Sequence, residues 1–236
     1  DVVILDPHIT PAKSSPASVS MPRTLEVLNL VNVGAAIASM GRPVELARIG
    51  LGGKRWHGVV RNLGTSAGHH SRHQATCISQ ARIEAVLLQR YKELGGRIFR
   101  GSRMVKAAET ADGVEVSIER SIATRDGTAV GLEELPNRLV QIKDSVLSAS
   151  YLVGCDGDSS QVRANMEVTA VGHTQLAAFV VADMEVSKEE EEAIGWNQYQ
   201  VQLVADWRTR SYVYLNHLEG NTWRIYVSAS KRLDAN

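Results

Sequence analysis

Short apolar runs alternate with helically spaced stretches through the first part of the chain, and beyond residue 163 the pattern turns to period two. Asp1-Val2-Val3-Ile4-Leu5-Asp6-Pro7 is an apolar run closed by an acid and a proline, and it predicts a strand. Residues 8 to 21, rich in proline and serine and without periodicity, predict a loop. A helix is expected from Pro22 or Arg23, with Leu25, Leu28, Val31 and Val33 or Ala35 along one side. Strands are expected around Val44 to Leu51 and Trp56 to Val60. Behind Ser79, a suitable cap, Ile83, Val86, Leu87, Tyr91 and Leu94 follow helical spacing until Gly95-Gly96 ends the run.

Arg97-Ile98-Phe99 and Gly101 to Val105 lead into a hairpin turning at Ala111-Asp112-Gly113, with Val114, Val116 and Ile118 alternating on the return strand. Residues 123 to 137 read as a solvated insertion and Arg138 to Leu147 as a third strand. Tyr151-Leu152-Val153 is too short for a helix and is closed by Gly154, which suits a buried strand of a parallel sheet. Gly154 and Gly157 bracket a tight turn, and Ser159 or Ser160 caps a helix through Gln161, Val162 and Arg163. Free N–H groups and the positive end of that helix would then face Asp156 and Gly157, a place for a phosphate-bearing cofactor.

Ala177 to Val186 predicts a strand, and Ser187-Lys188-Glu189-Glu190 a capping box. The acidic run Glu189 to Glu192 is therefore read as a first helical turn favoured by the helix dipole, not as a metal site. Tyr199 to Asp206, Ser211 to Leu218 and Thr222 to Ser230 alternate with period two, so Tyr212 and Tyr214 share one sheet face and Trp223, Ile225 and Val227 another.

Composition narrows the function classes. A chain of 236 residues with 44% hydrophobic content can bury a core; its net charge is zero and no basic stripe appears, so nothing suggests a nucleic-acid surface. A small neutral or amphipathic ligand fits better. Cys77 and Cys155 have no metal spacing and read as free thiols of a reducing compartment. No apolar run reaches the roughly 20 residues of a membrane span, and the start lacks a signal pattern, so a cytoplasmic protein is expected. His69, His70 and His73 are read as a solvated loop and not as a metal site.

Tyr151 to Arg163, with its Gly-Cys-Asp-Gly followed by Ser and Val-Arg, resembles the Asp-Gly motif of the FAD-dependent aromatic monooxygenases of the para-hydroxybenzoate hydroxylase and phenol hydroxylase type. Pro22-Arg23-Thr24-Leu25-Glu26 is similar to that family's Arg-Thr-Leu-Glu segment, and Gln80-Ala81-Arg82-Ile83-Glu84 to its Gln-x-x-Leu-Glu helix. The resemblance implies an α/β fold: a partial Rossmann-like FAD-binding domain over residues 1–170 with an inserted β-meander, then an antiparallel β-sheet substrate domain over 171–236. It implies cofactor contacts from Asp6, Arg23, Gln80, the backbone of Met104, Asp156 and Gly157. Asp6 sits where the acid ending a dinucleotide fold's second strand meets the adenosine ribose, although an Asp opening a turn before Pro7 is also consistent. Arg23 has the alternative of a solvated first-turn residue.

The resemblance further implies FAD reduced by NAD(P)H as co-substrate, O₂, and oxygen transfer to a small aromatic substrate; it leaves a homodimer open and names no catalytic residue. Pro16 stands near the place where the family carries a flavin-contacting arginine. The Gly-x-Gly-x-x-Gly turn and the later Gly-Asp segment have no counterpart here, so a fragment binding FAD weakly or not at all is expected. A related flavin reductase, epoxidase or halogenase, and a truncated non-enzymatic product, are the alternatives.

Overall fold

A computed structural model describes residues 1–11, 17–51, 56–61, 73–125, 128–129, 138–172, 178–196, 199–206, 208 and 211–229. In chain order the elements are β1 (Val3–Asp6), β2 (Val19–Ser20), α1 (Pro22–Asn29), α2 (Gly34–Met40), β3 (Arg42–Pro43), β4 (Leu46–Leu51), β5 (Trp56–Arg61), β6 (Thr76–Cys77) and α3 (Gln80–Glu93). There follow β7 (Arg97–Arg100), β8 (Ser102–Thr110), β9 (Gly113–Arg125), β10 (Thr128–Ala129), β11 (Arg138–Ala149), α4 (Gln161–Asn165), β12 (Ala178–Glu185), α5 (Lys188–Ala193), β13 (Val201–Asp206), β14 (Ser211–His217) and β15 (Thr222–Ala229). The chain forms two compact units: Asp1–Ala12 with Tyr91–His173, and Lys13–Arg90 with Thr174–Asn236.

In the first unit β1 and β7 pair in parallel, Val3 opposite Arg97 through Asp6 opposite Arg100. The expected meander is present: β9 pairs antiparallel with β8 on one side and β11 on the other, and β9 runs on to Arg125, into the stretch read as an insertion. A register shift between Met104 and Lys106 bulges β8 at Val105. Met104, Val116, Ile118 and Val162 form the core, with Leu5, Leu147 and Leu152 packed against it. Burying each such side chain is worth roughly 1.5–3 kcal/mol. Asn165, the last residue of α4, accepts the Ala107 N–H at 3.0 Å and pins the helix to β8.

Tyr151 to Val153 departs from expectation, because it lies in no strand. Tyr151 is 86% and Val153 76% exposed, and only Leu152 turns inward. A strand is a pairing, and among the described residues this run joins no sheet.

The second unit is built on a six-stranded sheet in the order β12-β15-β14-β13-β4-β5, antiparallel except where β13 meets β4. The strands near residues 44–61 thus join the C-terminal strands in one sheet. A linear cut at residue 170 and these discontinuous units divide the chain differently. One face of the sheet packs Leu215, Ile225 and Trp223 with Val186 and Trp196; on the other, Val201 and Tyr214 meet Val44, Ala47, Ala75, Cys77 and Leu218. Ser187 and Glu190 make the predicted reciprocal capping box of α5.

The first predicted helix is two. Asn32 takes a left-handed backbone (φ 62°) that asparagine tolerates, and Asn29 Oδ1 accepts the Ala35 N–H at 3.0 Å, so α2 starts afresh. Leu25, Val33 and Ile37 still reach one core with Ile78. At the end of α3, Gly95 N–H donates to Lys92 O and Gly96 N–H to Tyr91 O, both at 2.9 Å, closing a Schellman motif. Both cysteines are free, Cys77 buried and Cys155 exposed, and burial pushes the Cys77 thiol up to about 12. His69, His70 and Pro16 lie outside the described residues. Among the described residues no helix is long and apolar enough to cross a membrane, and no cluster of His, Cys, Asp and Glu could hold a metal ion.

Candidate functional site

Open α/β sheets offer ligands the carboxyl ends of their parallel strands. At that end of the β1–β7 pair the register sets Asp6 opposite Arg100. Arg100 Nη1 donates to Asp6 Oδ2 at 2.6 Å, with 13% and 25% of the two side chains exposed. Asp6 Oδ1 accepts the His8 backbone N–H at 2.9 Å and lies 3.1 Å from His8 Nδ1. The carboxylate is thereby held in one orientation, and with about four acceptor positions in all it keeps room for a ligand hydroxyl. A cleft opens next to it, lined by Pro7, Gly101, Arg103, Glu119 and Ser121. Gly101 has φ +62°, its N–H donates to His8 O at 3.0 Å, and its carbonyl accepts the Ser121 N–H at 2.6 Å. Arg103 Nη2 donates to Glu119 Oε2 at 2.7 Å across the rim.

Met104 follows two residues into β8. Its side chain is buried in the core and its register partner is Ile118.

Asp156 closes the start of α4 on itself. Ser160, the N-cap, accepts the Arg163 N–H at 3.0 Å and donates its hydroxyl to Asp156 Oδ1 at 2.5 Å. Asp156 Oδ2 accepts the N–H groups of Gln161 (2.6 Å) and Val162 (3.0 Å). The Ser160 hydroxyl first, and the Val162 and Gln161 N–H groups after it, hold the Asp156 carboxyl below its usual 3.8. This corrects the expectation of free N–H groups for a phosphate at this helix: the protein's own carboxylate takes them. Gly157 (φ +78°) is the open part of the turn, since a Cβ there would meet no atom within 4 Å.

Asp6, Met104, Asp156 and Gly157 therefore belong to the first unit, whereas Gln80 and Arg23 belong to the second. Gln80 opens α3 and donates Nε2–H to Glu84 Oε1 at 2.7 Å. Ser79, just ahead of it, turns its hydroxyl to Glu219 rather than along the helix, at 2.5 Å. Arg23, in the first turn of α1, is 84% exposed and meets Glu26 at 3.1 Å.

Reasoning from sequence missed Arg100 and Glu219. Arg100 ends β7 as Asp6 ends β1, a parallel visible in sequence, but only the strand register makes them partners. It also missed a buried group on the second unit's sheet: Glu191 Oε1 accepts the Trp223 indole N–H at 2.7 Å and lies 3.3 Å from His217 Nε2, whose ring stacks on Trp223 at 4.5 Å. Burial, then the Arg42 charge, lower the His217 pKa against the pull of Glu191.

A family model described as an FAD binding domain matches residues 1–206. The chain is 27% identical over 206 residues to 6-methylpretetramide 4-monooxygenase of Streptomyces rimosus, covering 86% of this chain and 33% of that protein. It is 26% identical over 187 residues to 12-dehydrotetracycline 5-monooxygenase/anhydrotetracycline 6-monooxygenase of Streptomyces rimosus subsp. rimosus, covering 79% and 32%. The chain thus spans about a third of the length of these curated relatives. Among solved structures, p-nitrophenol 4-monooxygenase PnpA from Pseudomonas putida DLL-E4 aligns with a TM-score of 0.74 at 14% identity, over 100% of this chain and 52% of that one. The flavin-dependent monooxygenase PieE, solved with FAD and substrate, aligns at 0.71 and 15% identity, over 99% and 39%. These likenesses show the fold.

Proposed function

The chain belongs to the FAD binding domain family, and from that membership we propose that it forms the FAD-binding and substrate-facing part of a flavin-dependent monooxygenase. Its substrate is a phenol-like aromatic, with NAD(P)H as reductant and O₂ as oxidant. The observation that carries this is the family match across residues 1–206, which takes in both the strand-end acid and the Asp-Gly turn. The two relatives are named as monooxygenases of 6-methylpretetramide and of dehydro- and anhydrotetracycline, which favours a tetracycline-like phenolic substrate.

The residues at the site fit parts of FAD and not others. Asp6 offers an oriented acceptor at a strand end, suited to a ribose hydroxyl, and the cleft at Pro7 and Gly101 lies next to it. The bare backbone at Gly157 lets a flat group lie close. The α4 N-terminus does not suit the pyrophosphate, because Asp156 occupies its N–H groups. Asp156 instead holds the turn in shape; Gln80, in the second unit, carries an amide whose Nε2–H is held by Glu84 and whose oxygen is the group read as a cofactor contact. When bound, FAD supplies the redox chemistry and the activation of O₂. The chain's own part is to bind, orient and keep water away.

Incubating the protein with FAD, NADPH, a phenolic polycyclic aromatic and ¹⁸O₂ tests the reading by mass spectrometry. One ¹⁸O atom in the product supports it. Reductant consumption that yields hydrogen peroxide and leaves every aromatic tested unchanged counts against it.

A further inference from the structure

The turn between β14 and β15 carries a carboxylate to the start of α3. Glu219 Oε1 accepts the Ser79 hydroxyl at 2.5 Å and lies 3.1 Å from Arg82 Nε, while Oε2 accepts the Ser79 N–H at 3.1 Å. Burial by itself would raise the Glu219 pKa, but the Ser79 hydroxyl and N–H, helped by Arg82, hold it below its usual 4.5. Glu219 is separated from Ser79 by 140 residues, so this is a contact of the fold and not of a local turn.

The turn that presents the carboxylate is itself braced. Arg42 Nε donates to Leu218 O at 2.8 Å and its Nη2 to Gly220 O at 2.7 Å. Leu218 N–H donates to Thr222 O at 2.8 Å, and the Leu218 side chain is 1% exposed against Val44, Ala47 and Cys77. On the helix side, Ser79 and Arg82 flank Gln80. The hairpin therefore fixes the carboxylate, and the carboxylate fixes Ser79, just before the glutamine, and meets Arg82, two residues after it.

We propose that Glu219 is a positioning residue for Gln80: it locks the first turn of α3 to the β14–β15 hairpin, so that the amide meets FAD in one orientation and the substrate sheet is tied to the cofactor helix. This rests on the reading of Gln80 as an FAD contact given above. A carboxylate meeting both a serine and an arginine is required, because an amide keeps the serine bonds and loses the charge that draws Arg82 in.

The test is a double-mutant cycle read by FAD fluorescence titration, with urea unfolding alongside. Glu219→Ala is expected to weaken FAD binding by up to about tenfold, the most that losing one neutral amide hydrogen bond from Gln80 costs, and Glu219→Gln less. Gln80→Ala is expected to weaken binding in the unaltered protein and to add nothing in the Glu219→Ala background. A role in stability alone would leave the effects of the two substitutions multiplicative. If Glu219→Ala does not fold, Ser79→Ala removes the hydroxyl contact, the shortest of the three to the carboxylate, from the helix side. FAD affinity unchanged in Glu219→Ala or Ser79→Ala, or multiplicative effects, overturns the inference while leaving FAD binding intact. Absence of FAD binding by the unaltered protein, or an innocuous Gln80→Ala, removes the underlying reading and this inference with it.

Discussion

Replacing Gly101 by Ala tests how the cleft beside Asp6 is built. At φ +62° a residue with a Cβ loses roughly 1–2 kcal/mol relative to an ordinary backbone conformation. The new methyl would also sit 2.3 Å from the Ser121 carbonyl oxygen, a distance that real Cβ atoms do not adopt, and that oxygen belongs to backbone. The strand must move, and two bonds are at stake: Gly101 N–H to His8 O at 3.0 Å and Ser121 N–H to Gly101 O at 2.6 Å. At about 0.5–1.5 kcal/mol each, their loss brings the total to about 2–5 kcal/mol. Gly157→Ala is the matched control, with φ +78° and open space around the Cβ, so only the conformational part of about 1–2 kcal/mol applies. Urea unfolding of both variants, read by circular dichroism, gives the comparison. Gly101→Ala unfolding no more easily than Gly157→Ala would refute the packing described for the cleft.

Acidification is expected to weaken the second unit. His217 has its pKa lowered from 6.5 in the fold, so its contribution is present above about pH 6.5 and is lost as pH falls through the lower folded value. Urea midpoints between pH 7.5 and 5 should fall, and fall less steeply in His217→Gln; equal slopes would contradict the assignment. Ser160→Ala removes both the cap of α4 and the first donor to Asp156, and should cost about 1 kcal/mol. In the same variant a carboxyl ¹³C titration should show the Asp156 pKa moving back toward 3.8, whereas an unmoved value would mean that the N–H groups alone set it.

Features built from neighbours in sequence were legible. Ser187 and Glu190 stand three apart and make their capping box; Ser160 caps α4; the Asp-Gly turn joins two alternating strands, all from short-range chemistry. The end of β1 at Asp6 was legible because an acid and a proline close an apolar run. Features that need a distant partner were not. Tyr151 to Val153 has the composition of a buried strand and no ladder to join. The place of β4 in the large sheet depends on β13, some 150 residues away, and no local pattern announces it. Arg100 and Glu219 look like ordinary surface charges until register and turn geometry bring them to Asp6 and Ser79. The break between α1 and α2 escaped notice because the apolar spacing carries on across Asn32, and only the backbone angle of that residue reveals it.

The central claim is that this chain takes FAD at a site that includes the acid ending β1. Flavin fluorescence titration of the unaltered protein and of Asp6→Asn, both checked for folding by circular dichroism, tests it most directly. The account predicts saturable binding of one FAD per chain, weakened about tenfold in Asp6→Asn as a charge-assisted hydrogen bond gives way to a neutral one. No saturable binding, or equal affinity in the two proteins, would contradict it.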